Sequence, residues 1–202
     1  MLELIRQLDK ENLLRYLEYN HKFLGKGTGR QVFDYDNDKV IKVSYNEAGR
    51  RQNQIEASIF NNDDICATVC GHGFNYEWVL MEKVEPVNEM EFVSYIKMTQ
   101  QCLFWFMEWQ HWLYVEEMPD YAQNAYNRYI DFTNTNRLNH DLMERLSTLM
   151  ITEKLSAGDL SRFNAWGKRN DGTLVLFDYG LGVDVWKSCY SKNENGVVEA
   201  IC

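Results

Sequence analysis

The chain has 202 residues, a formal net charge of −9, and a composition that is 45% hydrophobic and 14% aromatic. That length suits one domain or two small lobes sharing a cleft, with enough apolar content for a buried core. The acidic balance argues against broad nucleic-acid binding, which draws on clustered Lys and Arg, and the small Gly49-Arg50-Arg51 cluster does not reverse it.

No apolar run approaches the ~18 residues that a membrane span requires. The charged segment Met1–Lys10 lacks the apolar stretch of a secretory leader. The five cysteines, Cys66, Cys70, Cys102, Cys189 and Cys202, are scattered and include no C-x-x-C pair. They are expected to be reduced thiols in a cytoplasmic protein. Cys66, Cys70 and His72 have no second ligand pair downstream, so they read as ordinary strand residues rather than a zinc site.

Along the chain, Glu3 to Asn20 is predicted as an amphipathic helix, with Leu4, Ile5, Leu8, Leu13, Leu14 and Leu17 at helical spacing. Strands are expected at Phe23–Gly25, Gln31–Tyr35 and Lys39–Ser44. Leu24-Gly25-Lys26-Gly27-Thr28-Gly29-Arg30-Gln31-Val32-Phe33 is a glycine-rich turn running into a strand, and Asp34–Asp38 marks a tight hairpin. The β-branched run Val40-Ile41-Lys42-Val43 carries a lysine mid-strand. A helix over Glu47–Asn61 follows, with Ile55, Ile59 and Phe60 on one face and Glu56 beside it, in reach of Lys42. Strands Ile65–Gly71 and Trp78–Glu82 complete a five-stranded antiparallel sheet. Pro86 marks its exit, and Asn88 is placed to cap a helix starting at Glu89.

From there to Leu155 the pattern is helical. Met98–Val115 concentrates Phe104, Trp105, Phe106, Trp109, Trp112 and Tyr114, which we read as core rather than as a base-stacking surface. Asp120–Asn139, with Tyr121, Tyr126 and Tyr129, has weak periodicity and fits either a variable insert or a partner surface. A helix over His140–Leu155 leads into Gly158-Asp159-Leu160-Ser161-Arg162-Phe163-Asn164. The turn Asn170–Thr173 and strand Leu174–Phe177 then deliver Asp178-Tyr179-Gly180.

These residue types suggest one chemistry. A glycine-rich hairpin can close over phosphates because no side chain obstructs it. A mid-strand lysine can meet the α/β-phosphates as a point charge. Asp159 can accept the proton of a hydroxyl nucleophile, while Asn164 and Asp178 offer the hard oxygens that Mg²⁺ prefers. Arg162 fits either a cation that offsets phosphoryl charge or a surface arginine.

In this order, glycine turn, Lys42, Glu56, Asp159, Asn164 and Asp178 resemble the protein-kinase-like superfamily over roughly Leu24 to Gly182. The resemblance implies an α+β, two-lobed fold: a five-stranded antiparallel sheet plus helix C, then a reduced, mainly helical second lobe. It implies lobes at 1–82 and 88–202 with a hinge at 83–87. It implies that ATP is bound by Gly25, Lys26, Gly27, Thr28, Gly29, Val32 and Lys42, with Met81, Glu82 and Val84 at the adenine. Asn164 and Asp178 would hold Mg²⁺, and Asp159, Lys42 and Glu56 would carry catalysis.

Departures narrow the likeness. Arg30 stands where the third glycine of the loop would fall, and Gly29 comes one place early. Ala157-Gly158 replaces His-Arg before Asp159. That glycine resembles aminoglycoside-phosphotransferase-like and RIO-type atypical kinases, and Asp159 to Asn164 is most similar to the RIO pattern. The Lys42–Asn53 run is also similar to small kinase-like proteins of phages and bacteria. Tyr179 replaces the usual Phe, and the short stretch after Gly180 leaves no room for an activation segment or a peptide-docking subdomain. The implied activity is transfer of the ATP γ-phosphate to a Ser/Thr hydroxyl of a protein substrate or partner, without nucleic acid or membrane. The alternatives are a non-catalytic nucleotide-binding protein and a small-molecule phosphotransferase. Whether Tyr190, taken as an exposed hydroxyl, is self-modified stays open at this level.

Overall fold

The computed structural model describes residues 2–59, 64–112, 120–133, 139–192 and 198–202. Phe60, Tyr114 and the Asn61 end of the helix predicted over Glu47–Asn61 lie outside them, as does the side chain of Tyr121. In chain order the elements are α1 (Leu2–Gln7), α2 (Lys10–Asn20), β1 (Lys22–Lys26), β2 (Arg30–Asp34), β3 (Lys39–Ser44), α3 (Glu47–Ser58), β4 (Val69–His72), β5 (Trp78–Glu82), β6 (Glu85–Pro86), α4 (Glu89–Ile96), α5 (Gln100–Trp112), α6 (Asp120–Thr133), α7 (His140–Glu153), α8 (Ala157–Leu160), β7 (Trp166–Lys168), β8 (Leu174–Leu176), α9 (Val183–Cys189), β9 (Tyr190–Lys192) and β10 (Val198–Ala200). They fall into two compact units, Met1–Lys83 with Gly182–Cys202, and Val84–Leu181.

The first unit is built on an antiparallel sheet of order β1-β2-β3-β5-β4. Strand alternation sorts its residues by face. Phe33, Ile41, Val43, Trp78 and Leu80 pack with Ile5, Leu13 and Leu17 of the N-terminal helices in one buried cluster. The register Arg30↔Ser44, Val32↔Lys42 and Lys42↔Val79 puts Lys42 on the opposite face, where α3 lies and pairs with it. The single helix predicted over Glu3–Asn20 is two. Asp9 breaks it, because its carboxylate accepts from the Asn12 amide at 2.9 Å and caps α2. The strand predicted from Ile65 begins its ladder only at Val69. Ile65, Cys66 and Ala67 are buried, but they serve the core ahead of the paired strand.

The C-terminal segment corrects three expectations. The sequence assigned everything after Asn88 to the helical lobe, yet Gly182–Cys202 groups with the first unit. Gln52 Nε2 donates to Tyr190 Oη at 2.6 Å and Arg51 Nη1 to Ser188 Oγ at 2.5 Å, which ties α9 and β9 to α3. Tyr190 is buried rather than exposed. Cys189 and Cys202 form a disulfide, so these two are not the reduced thiols expected. The β9–β10 pairing, with Tyr190 opposite Ala200, brings together cysteines whose separation in sequence concealed the pairing. Cys66, Cys70 and Cys102 are free thiols.

In the second unit, α4 starts at a capping box. Asn88 Oδ1 accepts from Glu91 N at 3.0 Å, while Glu91 Oε2 accepts from Asn88 N at 3.1 Å. The aromatic segment forms α5, whose Cys102, Leu103, Phe106 and Met107 are buried. Of the stretch left open as insert or partner surface, Asp120–Thr133 forms α6, which packs on α5. Phe106 and Tyr129 rings lie 4.8 Å apart, and Trp109 and Tyr126 rings 4.5 Å apart. A small sheet, β6-β7-β8, completes the unit. Among the described residues no helix is long and apolar enough to cross a membrane.

Candidate functional site

In the first unit the glycine-rich turn between β1 and β2 is closed by Gly27 N donating to Arg30 O at 2.9 Å. A Cβ added at Gly25 or Gly27 would meet nothing within 4 Å, so the space there is open to a ligand. Gly29 is different. A Cβ there would lie 2.7 Å from Gly49 N, and one at Gly49 would lie 2.0 Å from Gly29 O. The turn therefore rests glycine against glycine on the start of α3, which explains why Gly29 stands one place early. Asn46 fastens the same junction. Its side chain accepts from Gly49 N at 2.9 Å as the cap of α3 and donates to Thr28 O at 3.0 Å. Thr28 Oγ1 also donates to Tyr190 Oη at 3.2 Å, Tyr45 Oη donates to Gly27 O, and Lys26 Nζ sits 4.6 Å over the Tyr45 ring.

Lys42 Nζ donates to Glu56 Oε1 at 2.9 Å, and both side chains are almost wholly buried. The face of α3 turned inward is polar: Gln52, Asn53 and Glu56 are buried, whereas Ile55 is only half-buried. That reverses the expected arrangement, in which Ile55 faced the core and Glu56 sat at its edge. Arg30 supplies the second charge, with Nη1 2.9 Å from Glu56 Oε2. Ion-pairing is what makes a buried carboxylate tolerable, since an unpaired one is strongly penalised.

Met81 is buried in β5 opposite Val40 and Val69. Glu82 N donates to Thr68 O at 2.8 Å, and Glu82 Oε2 accepts from Thr68 N at 3.1 Å. Its amide is thus committed to the sheet. Val84 belongs to the second unit, packed over Gly167, where a Cβ would lie 2.3 Å from Val84 Cγ2.

In the second unit, Asp159 lies on α8, partly exposed, with Oδ1 3.4 Å from Arg162 Nη1. Its loop is held from beneath. Trp166, fully buried, donates its indole N–H to Leu160 O at 2.9 Å. Gln100 Oε1 accepts from Phe163 N at 3.1 Å, and Ser161 Oγ donates to Gly158 O at 3.1 Å. Asn164 is exposed on the 3-10 turn Phe163–Ala165. Phe177 N and Asp178 N both donate to Ala165 O, at 2.8 and 3.3 Å. This brings the exposed Asp178 next to the Asn164 turn. Among the described residues no three His, Cys, Asp or Glu side chains gather as a metal cluster, and Cys66, Cys70 and His72 do not form one.

Sequence reasoning registered Arg30 only as a departure from the glycine pattern, and it overlooked Asn46, Gly49, Gln52 and the buried role of Tyr190. Asn46 ahead of Glu47 was a readable cap signal. The Gly29–Gly49 contact and the Gln52–Tyr190 bond leave no local signal.

No protein-family model and no curated protein matches this chain. Among solved structures it is similar to APH(2″)-IIa in a ternary complex with streptomycin and ATP, with a TM-score of 0.32, 15% identity, and coverage of 55% of this chain and 42% of that one. The ADP-bound aminoglycoside phosphotransferase APH(2″)-Ib gives a TM-score of 0.29 at 15% identity, again covering 55% of this chain and 42% of that one. APH(2″)-IIa in complex with gentamicin gives 0.38 at 12% identity, over 86% and 70%. This chain thus spans less than half the length of the first two.

Proposed function

We propose that this chain is an ATP- and Mg²⁺-dependent phosphotransferase that moves the γ-phosphoryl group to a protein hydroxyl. The observation that carries the reading is the Lys42–Glu56 ion pair, 2.9 Å long and buried, behind a glycine turn fastened to α3. Burying a lysine ammonium is costly, so a strand that does so beside an open, glycine-lined turn has a use for a positioned cation.

The donor set fits the groups invoked. Half-buried Gly25 and exposed Gly27 leave room for phosphate oxygens, and Lys42 supplies the charge to meet them. The amide oxygen of Asn164 and the carboxylate of Asp178 are hard, exposed ligands linked through Ala165 O, which suits Mg²⁺. When bound, Mg²⁺ would neutralise charge that builds on the phosphates. Lys42, held by Glu56, orients the α/β-phosphates, and the turn amides bind them. Asp159 takes the acceptor's proton as its oxygen bonds to the γ-phosphorus and the bond to the bridging oxygen breaks, releasing ADP. Arg162, with Nη1 3.4 Å from Asp159 Oδ1, helps aim that carboxylate.

A second reading, a small hydroxylated acceptor in place of a protein, is favoured by Gly158 directly before Asp159. Incubation with γ-labelled ATP and Mg²⁺, alone and with a cell lysate, tests both, alongside Lys42→Met and Asp159→Ala. Label on a protein, lost in both variants, supports the proposal, and label in the small-molecule fraction selects the second reading. No transfer in any arm refutes phosphotransfer.

A further inference from the structure

We propose that Arg30 is a positioning residue for Lys42, acting through Glu56; the inference rests on the nucleotide reading above. The Glu56 carboxylate is shared, one oxygen to each cation: Oε1 lies 2.9 Å from Lys42 Nζ, and Oε2 lies 2.9 Å from Arg30 Nη1. All three side chains are buried, at 4% exposure for Lys42, 8% for Arg30 and 0% for Glu56. The register explains the geometry. Arg30 pairs with Ser44 and Val32 with Lys42, so the two cations are diagonal neighbours on one face of the sheet, and the carboxylate enters from α3.

The two cations are not equivalent. Arg30 is anchored, its Nη1 also 3.4 Å from Asn53 Oδ1, while Asn53 Nδ2 donates to Tyr76 O at 2.9 Å. Its guanidinium is always charged and forks between partners, whereas a lysine ammonium is a mobile point charge on a flexible stem. To serve a phosphate while still held by Glu56, the Lys42 ammonium must divide its three N–H donors between the carboxylate and the phosphate. With Arg30 in place the buried carboxylate keeps a counter-charge while this happens. Without Arg30, Lys42 is the one cation of this triad left to Glu56, and more of its charge is spent on the carboxylate. Arg30 O also closes the glycine turn, so the same residue ties the turn's position to that of α3.

The test uses an acyl-phosphate derivative of ATP. A lysine amine near the phosphates attacks the acyl carbon, forming a C–N bond as the C–O bond breaks and ATP leaves, with the ammonium proton going to solvent. Lys42 acylation, read by mass spectrometry and competed by free ATP, is compared in the wild type, Arg30→Met, Arg30→Lys, Glu56→Gln and the Arg30→Met/Glu56→Gln pair. The expected result is an about tenfold slower labelling in Arg30→Met, a coupling typical of residues in one buried network, largely restored in Arg30→Lys. In the Glu56→Gln background, Arg30→Met should change the rate by less than about twofold, because its route of action is gone. Unchanged labelling in Arg30→Met, or the same loss in both backgrounds, overturns the proposal. If Arg30→Met does not fold, Arg30→Gln serves in its place and is read by the same criteria. Wild-type Lys42 that resists the probe overturns the nucleotide reading, and the proposal with it.

Discussion

Glu56→Gln is the perturbation whose size follows most directly from the structure. The carboxylate is fully buried and lies 2.9 Å from a cation on each side. At an effective dielectric of about 20, each such contact is worth roughly 6 kcal/mol of attraction, most of it offset by the desolvation of the charges. The glutamine keeps the shape but removes the counter-charge from two buried cations. Breaking a buried pair in this way costs about 3–5 kcal/mol, against about 0–1 kcal/mol for an exposed one. At about 2–4 °C per kcal/mol for a chain of this size, Tm should fall by roughly 6–20 °C. Thermal unfolding followed by tryptophan fluorescence measures the Tm shift and urea unfolding the free energy, both without nucleotide. A loss below about 1 kcal/mol would show that Glu56 behaves as a surface charge, and the buried triad would be wrong.

Other consequences follow from single contacts. Gly49→Ala places a Cβ 2.0 Å from Gly29 O. Helix propensity alone would stabilise by about 1 kcal/mol, while overpacking costs about 1–3 kcal/mol or more, so a net loss in the urea midpoint is expected. A gain would disprove the contact. Native thiol labelling at pH 8 should modify Cys70 alone among the free cysteines. Cys66 is buried, and burial pushes the Cys102 thiol up to about 11; fast labelling of Cys102 would refute its placement. The amide hydrogen bond from Asn88, with Lys168 beside it, holds the Glu91 carboxyl below its ordinary range. A lowered carboxylate pKa stabilises above the unfolded value and loses that contribution as pH falls through the folded one. Wild type should therefore lose stability on acidification below the ordinary glutamate range, and Glu91→Gln should lose less. Asp178→Ala should abolish Mg²⁺-dependent turnover while leaving the unfolding midpoint within about 0.5 kcal/mol, as expected for an exposed residue.

The sheet was readable because its strands are β-branched runs bounded by turn residues, and Lys39–Ser44 and Trp78–Glu82 match to the residue. The Asn88 cap was readable for a similar reason, since its partner Glu91 lies three residues on. Interactions between distant segments were not. Asp9 interrupts an amphipathic pattern that continues on both sides of it, so periodicity alone ran the two helices together. The polar inward face of α3 defied the apolar rule because its partners, Arg30 and Lys42, come from strands. The return of Gly182–Cys202 to the first unit rests on Gln52 and Arg51, whose bonds to Tyr190 and Ser188 leave no periodic signal. Among the candidate residues, the Lys42–Glu56 contact follows the expected spacing, while Arg30 reads in the sequence only as a missing glycine.

Under the proposed function, Lys42 and Asp178 each contribute to the binding of a metal nucleotide. Calorimetric titration with ATP, with and without Mg²⁺, tests it most directly on the wild type, Lys42→Met and Asp178→Ala. Saturable binding is expected, strengthened by Mg²⁺, weakened about tenfold or more in Lys42→Met, and stripped of its Mg²⁺ dependence in Asp178→Ala. Absence of binding by the folded wild type, or binding indifferent to both substitutions, would contradict it.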